Sequence, residues 1–244
     1  SRALVERGFT HSYDRRGEAA MTAADAETYR QSYAAAIGAI GKAAAGRGPY
    51  GGPGISIKLS ALHPRYARSQ RARVMAELLP RLHELARQAQ RHDIGLNIDA
   101  EEAERLDLSL DLFEALALAP DLAGWQGLGF VVQAYQKRAP FVIDWLIELA
   151  RRSGNRLMVR LVKGAYWDSE IKRAQVDGQP DVPVYTRKIH TDVSYLACAR
   201  RLLDAREAVF PQFATHNAAT LAAVLAMAEP AFRPGDYEFE CLHD

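Results

Sequence analysis

The sequence is poor in the features that usually announce a function. It has two cysteines in 244 residues, Cys198 and Cys241. They stand far apart, with no CxxC spacing and no second cluster to complete a zinc site, so no metal centre is expected. Two such thiols fit a reduced, cytoplasmic protein. No apolar run approaches the roughly 18–20 residues that span a bilayer, and residues 1–10 are charged rather than leader-like. Any membrane contact is therefore expected to be peripheral. A dominant charge sign is missing too: 31 basic residues face 30 acidic ones, for a net charge of +1. Bulk capture of nucleic acid has no basis in that balance. Glycines cluster at 51–54, but with no GxGxxG or Walker spacing after a strand, so they read as a turn. No internal repeat or low-complexity tract breaks the chain.

What remains, 48% hydrophobic and 25% charged, is the composition of an ordinary globular domain with one core. Short aliphatic and β-branched runs at 54–60, 94–100, 127–134, 156–163, 209–216 and 237–243 predict six strands. Helical stripes lie between them: Val74, Leu78, Leu82 and Leu85 after the first, and Leu106, Leu110 and Phe113 after the second. Thr22 and Asp25 form a capping box for an earlier helix with Tyr29, Tyr33, Ile37 and Ile40 on one face. Strands and helices alternate without hairpins, which favours parallel strands joined by right-handed crossovers.

Continuously apolar strand interiors fit an open doubly wound sheet or a closed barrel. The position of the polar residues favours the barrel. Lys58, Asp99, Gln133, Arg160 with Lys163, Thr215 with His216 and Asn217, and Glu240 with Cys241 all fall at C-terminal strand ends, where barrels build their sites. Three cations, two carboxylates, two amides and an imidazole suit a ligand with anionic and hydrogen-bonding parts. Each has a plainer reading: Lys58 and Asp99 as a pair across neighbouring strands, His216 as a core histidine, and Tyr166 and Trp167 as helix packing rather than a stacking platform. The segment 168–173 reads as a solvated helix face, and Asp14 and Glu18 share one side if their segment is helical. These patterns define no single reaction, and a Schiff-base barrel enzyme using Lys58 is as consistent with them as any other.

A resemblance goes further. The runs GPGISIKLSALHPRY (52–66), NIDAEEAERL (97–106), GFVVQAYQKR (129–138), RLVKGAYWDSEIKRAQ (160–175), PVYTRK (183–188), PQFATHN (211–217) and YEFECLH (237–243) resemble the proline dehydrogenase domain of bifunctional proline utilization A proteins, over about residues 10–243. The resemblance implies an α/β fold, a distorted (β/α)8 TIM-type barrel preceded by a segment and helix at 1–46. It also implies noncovalent FAD, oxidation of L-proline to Δ1-pyrroline-5-carboxylate, and electrons passed to a membrane quinone by a cytoplasmic protein that meets the inner membrane when reduced. An aldehyde dehydrogenase domain is expected in the parent protein, and no nucleic-acid binding from this chain.

Carried over by position, the resemblance puts Arg160 near flavin N5 and Gln133 at the pyrimidine edge. Val131, Val162, Gly164, Ala165 and Trp167 would line the cofactor, with Ala100, Lys163, Glu240 and Cys241 nearby. Thr186, Lys188, Thr215, His216 and Asn217 would surround its ribityl, phosphate and adenine parts. Lys58 would pair with the proline carboxylate, and Asp99, Leu161, Tyr166 and Leu242 would wall the ring. Glu18 would gate the pocket with an arginine from the last helix. The sequence departs from the family pattern in stopping at Asp244, before that arginine-bearing helix, and in carrying Glu240 where glutamine is common. A chain ending here is expected to be part of a longer protein. On its own it is expected to act as a flavin-binding fragment that holds its cofactor weakly and does not turn over proline.

Overall fold

A computed structural model describes residues 5–14, 19–228 and 232–242. The strands are β1 (Ser12–Asp14), β2 (Gly54–Ile57), β3 (Leu96–Ile98), β4 (Leu128–Gln133), β5 (Leu157–Val162), β6 (Val209–Ala214) and β7 (Glu238–Glu240). The principal helices are α1 (Ala23–Ala44), α2 (Arg71–Arg91), α3 (Leu106–Ala117), α4 (Ala139–Ser153), α5 (Trp167–Val176), α6 (Lys188–Asp204) and α7 (Ala218–Ala228). The ladders β1–β2, β2–β3, β5–β6 and β6–β7 are all parallel. Parallel strands alternating with helices give the α/β, (β/α)8-type architecture read from the sequence.

All six expected strands form, each shorter than its apolar run, because the polar residues at their ends leave the ladder. After Ile57, for example, the chain turns into a 3-10 turn over Leu59–Ala61 that Leu62 N closes onto Leu59 O at 3.0 Å. The additional strand, β1, has three exposed residues and no alternation to betray it. It places Asp14 in extended backbone, so the premise of a shared helical side with Glu18 fails. Glu18 itself lies outside the described residues, as does His243.

The chain divides into two compact units. One comprises residues up to 99 together with 104–129, and the other 100–103 together with 130 onward. In the first, the Thr22 hydroxyl accepts Asp25 N at 3.1 Å while Asp25 Oδ2 accepts Thr22 N at 2.8 Å. That reciprocal box satisfies two amides left open at the start of α1. Tyr33, Ile37 and Ile40 on α1 and Val74, Leu78, Leu82 and Leu85 on α2 are buried. The stripe on α3 differs from the one read: Leu108, Leu112, Phe113 and Leu116 are buried, while Leu106 and Leu110 are only half-buried. The 3-10 turn at Ala103–Arg105 leads directly into α3.

In the second unit, Phe210 and Phe213 on β6 and Tyr195 and Cys198 on α6 are buried. Pro140 opens α4, and Gly154 at φ 68° ends it in the left-handed conformation that glycine adopts freely.

Candidate functional site

The exits of β4 to β7, all within the second unit, carry most of the expected site residues. The parallel register places Arg160 of β5 beside Gln212 of β6, and Gln212 beside Glu238 of β7. Glu240, two residues on, emerges on the same face as Glu238 by strand periodicity. Arg160 is buried, and its Nε lies 2.6 Å from Glu240 Oε2 while Nη2 donates to Oε1 at 3.2 Å. Gln212 Nε2 donates to Glu238 Oε1 at 2.7 Å, and among the described residues the buried Gln212 Oε1 has no hydrogen-bond partner. Burial, and then the neighbouring Glu240 carboxylate, raise the pKa of Glu238 well above the ordinary glutamate range.

On β4, Gln133 is buried, with Nε2 donating to Glu101 O at 2.9 Å and Oε1 accepting Ala165 N at 3.2 Å. This fixes the carboxamide and the turn after β5 against each other. In that turn Gly164 has φ 146°, and a Cβ there would meet the Tyr135 ring at 2.4 Å. Gly164 and Ala165 are exposed, Tyr166 is half-buried, and Trp167 donates from Nε1 to Tyr185 O at 3.0 Å. Val131 and Leu161 are buried, and Val162 is half-buried.

Lys163 Nζ lies 2.5 Å from Asp192 Oδ1, and Lys188 Nζ lies 2.6 Å from Oδ2 of the same carboxylate. Both lysines hold the Asp192 pKa below the ordinary aspartate range. Two cations around one anion leave one formal positive charge. Thr186 and Lys188 are exposed at the start of α6. After β6, Thr215 Oγ1 accepts Asn217 N at 3.0 Å, and Asn217 Oδ1 accepts Thr220 N at 2.9 Å, which caps α7. His216 is exposed rather than a core residue, and its Nε2 accepts Leu242 N at 3.2 Å. Cys241 and Leu242 are exposed.

In the first unit, Asp99 N donates to Ile57 O at 2.9 Å, which sets Asp99 beside Lys58 at the adjoining ends of β3 and β2. Both are half-buried, and Lys58 N donates to Tyr33 Oη at 3.2 Å. Ala100, half-buried, belongs to the second unit.

Several residues escape a sequence reading. Glu170 falls in the segment expected to be a solvated face, yet it is buried and accepts Ala103 N at 2.6 Å. Asp192 could have been found, since it stands four residues after Lys188 on a helix. Glu238 could have been found from its two-residue spacing to Glu240. Gln212 gave no signal, because only strand register reveals that it faces Arg160.

Comparison with known proteins agrees with this architecture. The family model for proline dehydrogenase matches residues 1–244. The chain is 66% identical over 243 residues to the bifunctional protein PutA of Klebsiella aerogenes and 64% identical to that of Rhizobium meliloti, spanning 18% and 19% of those relatives. It is 31% identical over 137 residues to a bovine hydroxyproline dehydrogenase, a match that covers 55% of the chain. The crystal structure of a Bradyrhizobium japonicum PutA variant superposes with a TM-score of 0.93 at 54% identity, over 99% of this chain and 25% of that one. PutA from Bdellovibrio bacteriovorus, inactivated by N-propargylglycine, superposes at 0.91 with 30% identity, over 99% of this chain and 26% of that one.

Proposed function

This chain belongs to the proline dehydrogenase family, and we propose that it supplies the flavin-binding part of an enzyme that oxidises L-proline to Δ1-pyrroline-5-carboxylate. The observation that carries the reading is the buried Arg160, held by Glu240 beside an exposed glycine–alanine turn. When bound, FAD would supply the acceptor for a hydride from the proline ring carbon and pass the electrons to a membrane quinone.

The residues present fit such a cofactor. A Cβ at position 164 would strike Tyr135, so the backbone turn stays bare there. Arg160 offers a fixed cation where negative charge would accumulate on reduction. Gln133, pinned by Glu101 O and Ala165 N, keeps further donor and acceptor capacity for a heterocycle edge. Lys163, Lys188 and Asp192 together carry one positive charge, which suits a pyrophosphate. Thr215, His216 and Asn217 would contact the remaining cofactor atoms. Leu161, Tyr166 and Leu242 of the second unit would bound the proline ring, and Lys58 with Asp99 in the first unit offers a cation suited to a carboxylate, a charge that is costly to leave unpaired when buried.

We place the parent protein in the cytoplasm, with peripheral membrane contact on reduction and an aldehyde dehydrogenase domain elsewhere in its chain. Among the described residues, no helix is long and apolar enough to cross a membrane. The test is a visible spectrum of the purified full-length protein before and after L-proline, without oxygen. Oxidised-flavin bands that bleach are the expected outcome. A colourless protein would overturn the reading and return attention to amine chemistry at Lys58, whereas bands that resist proline but bleach with hydroxyproline would move the substrate within the class.

A further inference from the structure

The residue beside Arg160 carries the opposite charge, and that changes what the site can do. A buried lone cation would favour reduction of an adjacent cofactor by stabilising the arriving negative charge. Here Glu240 meets the guanidinium at two points, 2.6 Å and 3.2 Å, with the Arg160 side chain 10% exposed and that of Glu240 20% exposed. Water screens such a pair weakly, so the carboxylate offsets much of the field that Arg160 would project. Glu238 adds a second acidic group on the same strand face, held by Gln212 in the row that contains Arg160.

We propose that Glu240 is the residue that sets the reduction potential at this site: it orients Arg160 and offsets its charge, with Glu238, two residues away on the same strand face, as its acidic neighbour. The row then carries no net charge while Glu238 holds its proton, and one negative charge once the proton leaves. Glu238 is faced by Arg160 from β5, by Gln212 from β6 and by Glu240 from its own strand. The buried hydroxyl of Tyr195, on α6, feels the Glu240 charge. Burial and Glu240 both favour the protonated form of Glu238, which brings its titration toward neutrality.

The inference rests on the flavin reading above, and its test separates the two. The midpoint potential of the flavin is measured spectroelectrochemically in the full-length protein and in its Glu240→Gln and Glu240→Asp variants. Glutamine removes the charge and is expected to raise the potential by at least ~30 mV, which is about tenfold in the equilibrium of a two-electron couple. Aspartate keeps the charge and is expected to stay near wild type. Equal potentials in wild type and Glu240→Gln overturn the proposal, as does an aspartate variant displaced as far as the glutamine one, since shape would then govern rather than charge. If Glu240→Gln does not retain flavin, Glu238→Gln decides. Its potential is expected to fall less steeply with pH across neutrality than that of wild type, and parallel profiles overturn the proposal. Wild-type protein without flavin bands would remove the flavin reading, and this inference with it.

Discussion

Gly164 occupies a place that a methyl group would overfill. Its φ of 146° is strained for an L side chain, and the nearest obstacle is an aromatic ring fixed in the core. Gly164→Ala is expected to cost at least ~1–3 kcal/mol, from backbone strain alone, read as a lower urea midpoint. An unchanged midpoint would mean that the turn can relax away from Tyr135. Glu238 makes a second residue-scale prediction. Its folded pKa stands above the unfolded value of 4.5, so its contribution to stability is complete below about pH 4.5 and is lost as pH rises through about 7. Glu238→Gln should therefore be more stable than wild type at pH 8, by on the order of 1 kcal/mol, with the difference shrinking toward pH 4. Urea titrations at both values check the sign.

At the scale of elements, the capping box predicts that Thr22→Ala weakens α1 by about 1 kcal/mol, visible as faster amide exchange through its first turn. The link from the β5 exit to α6 runs through Asp192. Because both lysines hold its pKa below 3.8, its stabilising effect is present above the ordinary aspartate range and lost as pH falls below it. Asp192→Asn should flatten the acid limb of a stability–pH profile without moving the neutral plateau relative to its own value at pH 5. A profile parallel to that of wild type would deny the link. These elements also show what the sequence made legible. The stripe on α2 and the cap on α1 depend on local spacing, and both were readable. The strand β1 has no apolar pattern and exists through its pairing with β2, and α3 is preceded by a 3-10 turn that periodicity does not report. At the site, strand-end position pointed to Arg160 and Gln133. What each touches is a matter of register, which a single sequence leaves open.

For the whole molecule, the chain spans about a fifth of the PutA relatives it matches, so activity is to be sought in the full-length protein. There, Arg160→Ala is expected to reduce proline-dependent flavin bleaching by at least ~100-fold, the scale of losing one charge-stabilising group. Full-rate bleaching by that variant would detach Arg160 from the chemistry. The burial of two tyrosines carries a different consequence. Desolvation raises the hydroxyl pKa of Tyr135 and of Tyr195, the first beside the bare turn and the second bonded to Leu161 O and Ala214 O. In a jump to alkaline pH, exposed phenols among the ten tyrosines ionise within the mixing time, whereas these two must wait for the protein to open. The slow rise in phenolate absorbance, shared with the buried Tyr33, Tyr66 and Tyr237, would then act as an internal clock for loss of the native state.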